Sequence, residues 1–254
     1  MTKEIYITKR SGSKEILNLD KMHFVVDEAC NGLSGVSASQ IEMNADLQFY
    51  DGMTTDEIQN ILVKSANDLI SLEAPNYQYA AARLLLYTLH KKVYGRYEHQ
   101  SLTEIIDMNI KRGVYDSAIK EKYTDTELKK LNTYIKHDRN EEFTYAGLRQ
   151  VVDKYLCQDR SNGDIFETPQ HMYMMIAATL FAEYPKETRL SYVKKYYDAT
   201  SLFKINIPTP VMAGVRTPIR QFASCVLVDV DDTLPSIFSS NSAIGYYIAQ
   251  RAGI

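Results

Sequence analysis

Apolar and polar positions alternate where the chain begins, with Ile5 and Ile7 in Glu-Ile-Tyr-Ile-Thr-Lys, as a half-buried strand requires. Ser11-Gly12 is a turn signal, and Ile16 lies on the returning segment, so the pattern predicts a hairpin. The period then changes to that of helices. Lys21 to Cys30 ends at Asn31-Gly32. Ser37 with Gln40 and Thr54 with Glu57 have capping-box spacing. Behind the second box, Ile58, Ile61, Leu62, Leu69 and Ile70 mark one helical face. Pro75 stops that helix, Asn76 can cap the next, and Gly95 can close it. Residues 1–97 therefore read as a small hairpin followed by about four helices.

Residues 98–203 are mainly helical, with helical periodicity over Leu102–Lys111, Asp125–His137 and Glu142–Lys154. Between Tyr155 and Glu167 the Asn162-Gly163 pair predicts a hairpin with a type I′ turn. Pro169–Glu183 and Glu187–Leu202 follow as two helices broken at Pro185. Residues 204–254 differ. Pro208-Thr209-Pro210 reads as a rigid extended stretch. Gln221–Val230, with the run Cys225-Val226-Leu227-Val228, reads as a strand buried on both faces. Asp231-Asp232-Thr233 then caps a helix running to about Ala252. This is half of a βαβ unit, and residues 204–254 supply no second strand to pair with it.

Composition narrows the function classes. The chain has 254 residues, 45% hydrophobic and 24% charged, which suits one large domain or two ordinary ones. A net charge of -3 lacks the positive excess of a protein that works by neutralising nucleic-acid phosphates. Three scattered cysteines, Cys30, Cys157 and Cys225, build neither a disulfide scaffold nor a Cys-rich zinc site and fit a reducing cytoplasm. The longest apolar run, Met172–Ala182, falls short of the roughly 20 residues a membrane span needs. The 19 tyrosines spread over the helices read as core packing.

Lys9 and Arg10 at the hairpin tip, with Lys21 at the next helix start, can hold a polyphosphate by charge-assisted hydrogen bonds, and Glu15 and Asn18 can read a base or ribose. The plainer reading is a solvated charged hairpin. Lys91 and Lys92 end a helix, where cations also complement the dipole. No Walker loop and no Gly-x-Gly-x-x-Gly occurs. His23, His90, His99, His137 and His171 show no metal-ligand spacing, so no metal site is expected. Cys225 reads first as an inert strand residue, and Asp232 as a capping carboxylate.

Several segments taken together resemble a known family. Lys9-Arg10-Ser11-Gly12 followed by Glu15 and Asn18-Leu19-Asp20-Lys21 looks like the opening of an ATP-cone. Asp51-Gly52-Met53-Thr54-Thr55, Pro75 to Arg83 and Lys91-Lys92-Val93-Tyr94-Gly95 are similar to its later signatures. Phe143-Thr144-Tyr145, Phe203-Lys204-Ile205, Ile207-Pro208-Thr209-Pro210, Arg216-Thr217-Pro218 and Arg220 to Cys225 resemble the large subunit of class I ribonucleoside-diphosphate reductases, of enterobacterial and T-even phage type.

The resemblance implies a mainly α (α+β) fold. A cone over 1–97 (a small sheet on a four-helix bundle) precedes a helical region over 98–203. Over 204–254 lies the first strand-helix unit of a ten-stranded α/β barrel. It implies an ATP/dATP activity site at Lys9, Glu15, Ile16, Leu17, Asn18, Leu19, Asp20, Lys21, Thr55 and Lys91. Cys225 would be one of a redox pair, Thr209 and Ser224 would hold the substrate diphosphate, and Asp232, Thr233 and Leu234 would open the specificity effector site. Gln59 and Thr88 stand where relatives tend to carry histidines, which bears on dATP inhibition more than on binding. Effector nucleotides would come with Mg²⁺, and the radical cofactor would sit in a separate small subunit. The implied partners are the remaining part of the large subunit, a second large subunit, the radical-bearing small subunit, and thioredoxin or glutaredoxin. No nucleic acid and no membrane is expected. By this reading the chain is the N-terminal part of a large subunit, inactive without the rest, with its barrel cut after the first strand and helix. Alone, residues after about 204 would be poorly ordered while the first 95 fold. The alternative is a free-standing ATP-cone that senses nucleotides without chemistry of its own.

Overall fold

A computed structural model describes residues 5–96, 98–250 and 252–254. In chain order the elements are β1 (Tyr6–Thr8), β2 (Lys14–Ile16), α1 (Leu19–Cys30), α2 (Ala38–Asp46), α3 (Thr55–Asp68), α4 (Tyr77–Tyr94), α5 (Leu102–Lys111), α6 (Ala118–Lys122), α7 (Asp125–Asn132), α8 (Tyr145–Gln150), β3 (Gln158–Asp159), β4 (Asp164–Ile165), α9 (Pro169–Leu180), α10 (Lys186–Ser201), α11 (Thr209–Gly214) and α12 (Leu234–Ala249). A 3₁₀ turn, His137–Glu142, precedes α8, and a π-helical turn, Val151–Tyr155, follows it. The fold is mixed α+β, mainly helical, in two compact units: residues 1–99 with 137–153, and 100–136 with 154–254.

In the first unit, β1 and β2 pair antiparallel with Tyr6 opposite Ile16 and Thr8 opposite Lys14. Ile7 turns inward, and Gly12 takes the positive φ that the tip needs. The hairpin is tied down by Thr8 N–H donating to the Met53 carbonyl at 2.8 Å and Gly52 N–H to the Tyr6 carbonyl at 2.8 Å. Those bonds fix the hairpin tip beside the start of α3. The Thr54–Glu57 capping box is complete, the Thr54 hydroxyl accepting from Glu57 N–H and the Glu57 carboxylate accepting from Thr54 N–H. Ser37 accepts from Gln40 N–H, but the Gln40 side chain accepts from the Tyr77 hydroxyl, so this box is half formed. Asn76 does not cap α4 with its side chain, which donates to Ser34 instead. The core helix is α4, buried at Ala80, Ala81, Ala82, Leu84, Leu85, Leu86, Leu89 and Val93. Gly95 ends it in the left-handed conformation, donating to the Lys91 carbonyl.

Where periodicity suggested one helix over Glu142–Lys154, Thr144 caps a shorter one by accepting from Gly147 N–H. Likewise α7 stops at Asn132, because the Thr133 hydroxyl turns back to the Lys130 carbonyl.

The core of the second unit is α9, buried from Pro169 to Ala178, with α10 and α11 against it. Its apolar character reflects burial on all sides. No helix among the described residues is long and apolar enough to cross a membrane. One part-buried and one fully buried ion pair hold the unit. Arg189 of α10 binds the Glu127 carboxylate, itself part of the Thr124 capping box. Arg216 binds Glu167, with both side chains fully buried. Glu167 also accepts from the Tyr115 hydroxyl and from Cys157 N–H, while Arg216 donates to the Tyr155 and Met212 carbonyls.

Three expectations for this unit are corrected. The β3–β4 connection is not a two-residue type I′ turn. Asp159 pairs with Asp164 across four loop residues, and only Gly163 among them has positive φ. The Asp159 carboxylate accepting from Ser161 and the Asn162 side chain accepting from Asp164 N–H stabilise that longer loop. Second, only Pro208 of the Pro208–Pro210 stretch is extended. Thr209 starts the short helix α11 with Pro210 in its first turn, where a missing N–H costs nothing. Third, Gln221–Val230 is not a buried strand. It runs extended with a single parallel bridge from Cys225 to Gly253, and Leu227 is 100% exposed. No second strand lies beside it among the described residues, and none of its residues is fully buried. Thr233 caps α12 as expected, and no residue of that helix is buried.

Candidate nucleotide site

A cavity of about 440 Å³ opens in the first unit between the hairpin, α1, α3 and α4. The tip of the hairpin supplies Lys9, Arg10 and Glu15. The turn into α1 supplies Leu17, Asn18 and Lys21, the first turns of α3 supply Thr55, Asp56 and Gln59, and the end of α4 supplies Thr88 and Lys91. Ile7, Met22, Val25 and Ile58 form its apolar wall. Each position follows from local chain chemistry. Asn18 is the N-cap of α1, accepting from Lys21 N–H at 2.9 Å. Thr55 follows the capped start of α3, and Lys91 lies one turn before Gly95.

The electrostatics suit an anion. Four cations, Lys9, Arg10, Lys21 and Lys91, line the cavity against two carboxylates, Glu15 and Asp56. Both carboxylates are already engaged: Lys9 meets Glu15 at 2.5 Å and Arg10 meets Asp56 at 2.6 Å. The hydrogen bond from Lys9 holds the Glu15 carboxyl below its ordinary range, with the charges of Lys9 and Lys21 adding to it. The buried Gln59 Oε1 has no hydrogen-bond partner, an acceptor left for a donor to satisfy.

Of the ten residues expected at the activity site, seven line this cavity: Lys9, Glu15, Leu17, Asn18, Lys21, Thr55 and Lys91. Ile16, Leu19 and Asp20 do not; Ile16 and Leu19 are exposed beside it. Sequence reasoning left out Asp56, Gly95 and Tyr87. Asp56 is signalled only by its place beside Thr55, and Tyr87 by its spacing one turn before Lys91.

In the second unit, Thr209 lines a separate cavity of about 390 Å³ with Lys154, Arg160 and Gln221, its hydroxyl 3.3 Å from that of Tyr155. Ser224 and Cys225 do not line it; both are exposed. Asp232, Thr233 and Leu234 are exposed at the start of α12, where the Thr233 hydroxyl accepts from Ser236 N–H. Cys157 is buried, and Cys30 closes α1, where burial pushes its thiol up to about 11.

A small sheet on a helical bundle, with a cationic cavity at the hairpin tip, is followed along the chain by a mainly helical unit. Residues 5–92 match the ATP cone domain family, and residues 141–220 match the family described as ribonucleotide reductase, all-alpha domain. The chain thus matches the ATP-cone plus the N-terminal domain of the ribonucleotide reductase large subunit, near the enterobacterial and phage α subunits. It is 50% identical over 254 residues to ribonucleoside-diphosphate reductase 1 subunit alpha of Escherichia coli (strain K12), covering 100% of this chain and 33% of that protein. It is 48% identical to the corresponding subunit alpha of Haemophilus influenzae, covering 100% and 34%. The identity to ribonucleoside-diphosphate reductase subunit alpha of Enterobacteria phage T4 is 42% over 250 residues, 98% of this chain and 33% of that one. The chain spans about a third of the length of the curated relatives it matches.

Proposed function

We propose that this chain is the N-terminal part of a ribonucleoside-diphosphate reductase large subunit, and that the cavity at the hairpin tip is its ATP/dATP sensor. The observation that carries the sensor is the convergence of Lys9, Lys21 and Lys91 from three elements, with Glu15, Asn18 and Thr55, within the span that matches the ATP cone family. Lys9, Lys21 and Lys91 bind the phosphates, with Thr55 donating its hydroxyl. Glu15 and Asn18 accept from the base or sugar. Mg²⁺ accompanies the triphosphate. The cone covers 1–97, a helical region 98–203, and the barrel begins at 204; the compact first unit adds 137–153 to the cone.

For the whole subunit we propose reduction of ribonucleoside diphosphates in a reducing cytoplasm. The ribose 2′-hydroxyl leaves as water, a hydrogen takes its place, and two thiols become a disulfide. Cys225 is one of those thiols. Thr209 and Ser224 hold the substrate diphosphate, and Asp232, Thr233 and Leu234 begin the specificity effector site. The remaining part of the large subunit, a second large subunit, a radical-bearing small subunit and thioredoxin or glutaredoxin complete the system. The match over 141–220 favours this reading over a free-standing cone.

Calorimetry on the 254-residue chain tests the sensor. ATP and dATP are expected to bind, and Lys9→Ala or Lys91→Ala to weaken each by roughly tenfold or more, the worth of one charge-assisted hydrogen bond. Absence of binding by the unaltered chain, or unchanged affinity in both variants, would overturn it.

A further inference from the structure

A second cavity of about 450 Å³ in the first unit belongs to nothing described so far. Three of the chain's five histidines meet there. The His99 and His137 rings stack with centroids 3.7 Å apart and planes within 6°. The His90 ring stands edge-on to His99 at 4.8 Å. The stacked pair joins two distant points of the chain. His99 ends the first stretch of this unit, and His137 begins the second, which carries the 3₁₀ turn and α8 onto α4. A parallel stack of two neutral imidazoles is attractive, whereas two imidazoliums at this separation repel.

The groups facing the stack act in opposite directions. Glu28 of α1 and Asp138 and Glu141 of the turn favour imidazolium. Arg83 of α4 opposes it, and it also binds the Asn31 carbonyl at 2.6 Å and reaches Glu141 at 3.5 Å. Tyr87, His90 and Tyr94 of α4 complete the surround. Although His99 keeps part of its surface open, the face on His137 is withdrawn from water, and that desolvation lowers its affinity for a proton below the ordinary histidine value of 6.5. A group whose folded affinity is lowered stabilises the closed form above its unfolded value, and that contribution is lost as pH falls through the folded value.

We propose that the stacked His99–His137 pair is a proton-sensitive latch that holds the segment 137–153 on α4 when neutral and releases it on acidification. Because Tyr87 borders both cavities, the latch reaches the wall of the nucleotide cavity as well.

Amide hydrogen exchange on the 254-residue chain tests this, reading the Leu148 amide, which donates to the Thr144 carbonyl at 2.9 Å within the held segment. With intrinsic rates corrected, its protection is expected to fall about tenfold or more between about pH 7.5 and 5.5. In His99→Phe, which keeps a flat ring but carries no proton, protection changes less than about threefold over the same range. Constant protection in the unaltered chain, or an equal fall in His99→Phe, overturns the latch. If His99→Phe does not fold, the ring-proton titration of His99 in the unaltered chain decides: titration below about 6.5 supports the latch and titration at or above it overturns it.

Discussion

Glu167 shows how a single residue can organise a unit without announcing itself in sequence. Its carboxylate accepts from Arg216, the Tyr115 hydroxyl and Cys157 N–H. Burial pushes the carboxyl upward, but the charge and hydrogen bonds of Arg216 outweigh that, so it stays below its ordinary value. The same burial, with the Glu167 charge, drives the Tyr115 hydroxyl well above its own. Removing one partner leaves an uncompensated buried charge, so Arg216→Met should cost about 3–5 kcal/mol in denaturant unfolding. Removing both, in Arg216→Met with Glu167→Leu, should cost less than the single change, because no charge is stranded. The pH dependence has a definite sign. With its folded value lowered, Glu167 stabilises the unit above its unfolded value near 4.5 and loses that contribution as pH falls through the folded value. Glu167→Gln should flatten that acid limb in a pH series of unfolding curves. At the surface, Thr54→Ala removes one capping bond and should cost about 1 kcal/mol. That bond was legible from Thr54 and Glu57 standing three apart, whereas nothing local links Glu167 with Arg216, 49 residues away.

At the scale of elements, legibility follows the range of the forces. Caps and closers lie within a turn of what they stabilise, so the start of α3 could be read from Thr54 with Glu57, the end of α4 from Gly95, and the hairpin from alternation and Gly12. Lys9, Glu15, Asn18 and Lys21 could be found for the same reason, at a turn tip and a helix start, whereas Leu17, Thr55 and Lys91 were implied at this site only by the resemblance to an ATP-cone. Asp56 and Tyr87 enter the cavity only through packing between elements, and Gln40 leaves its capping box because Tyr77 competes for it. The segment 221–230 is the opposite case. Its composition reads as a strand covered on both faces, but covering requires neighbouring strands, and none lies beside it among the described residues. Its ties include Val226 N–H to the Gly253 carbonyl at 2.9 Å and the Ser240 hydroxyl to the Asp229 carbonyl at 3.1 Å. A Cβ at Gly253 would sit 2.4 Å from the Ser224 carbonyl oxygen, so only glycine allows this approach. In the isolated chain, amides 221–230 should therefore exchange with little protection while α4 amides are strongly protected, and Gly253→Ala should erase the remaining protection at Val226. Strong protection across 221–230 in a monomer would contradict this account.

At the scale of the molecule, the proposed sensing and the proposed chemistry fall in different compact units: the cationic cavity in the first, and Thr209, Ser224, Cys225 and Asp232 in the second. On the proposed function, these roles should separate by mutation in the full-length large subunit. A Cys225 thiol exposed on an extended segment meets the access requirement of a redox thiol, where burial would keep it inert. Cys225→Ser removes that sulfur and leaves the nucleotide cavity untouched. It should abolish thioredoxin-dependent reduction of a ribonucleoside diphosphate, with ATP and dATP affinities unchanged within about twofold, since sites without shared partners are nearly additive. Lys91→Ala should do the reverse, retaining turnover without effector while losing the response to dATP. Assaying both variants with the small subunit present, alongside calorimetry, separates the two roles. Full thioredoxin-dependent turnover in Cys225→Ser would remove the catalytic assignment, and an intact dATP response in Lys91→Ala would remove the sensor. Because each result is read on its own unit, failure of one assignment leaves the other standing.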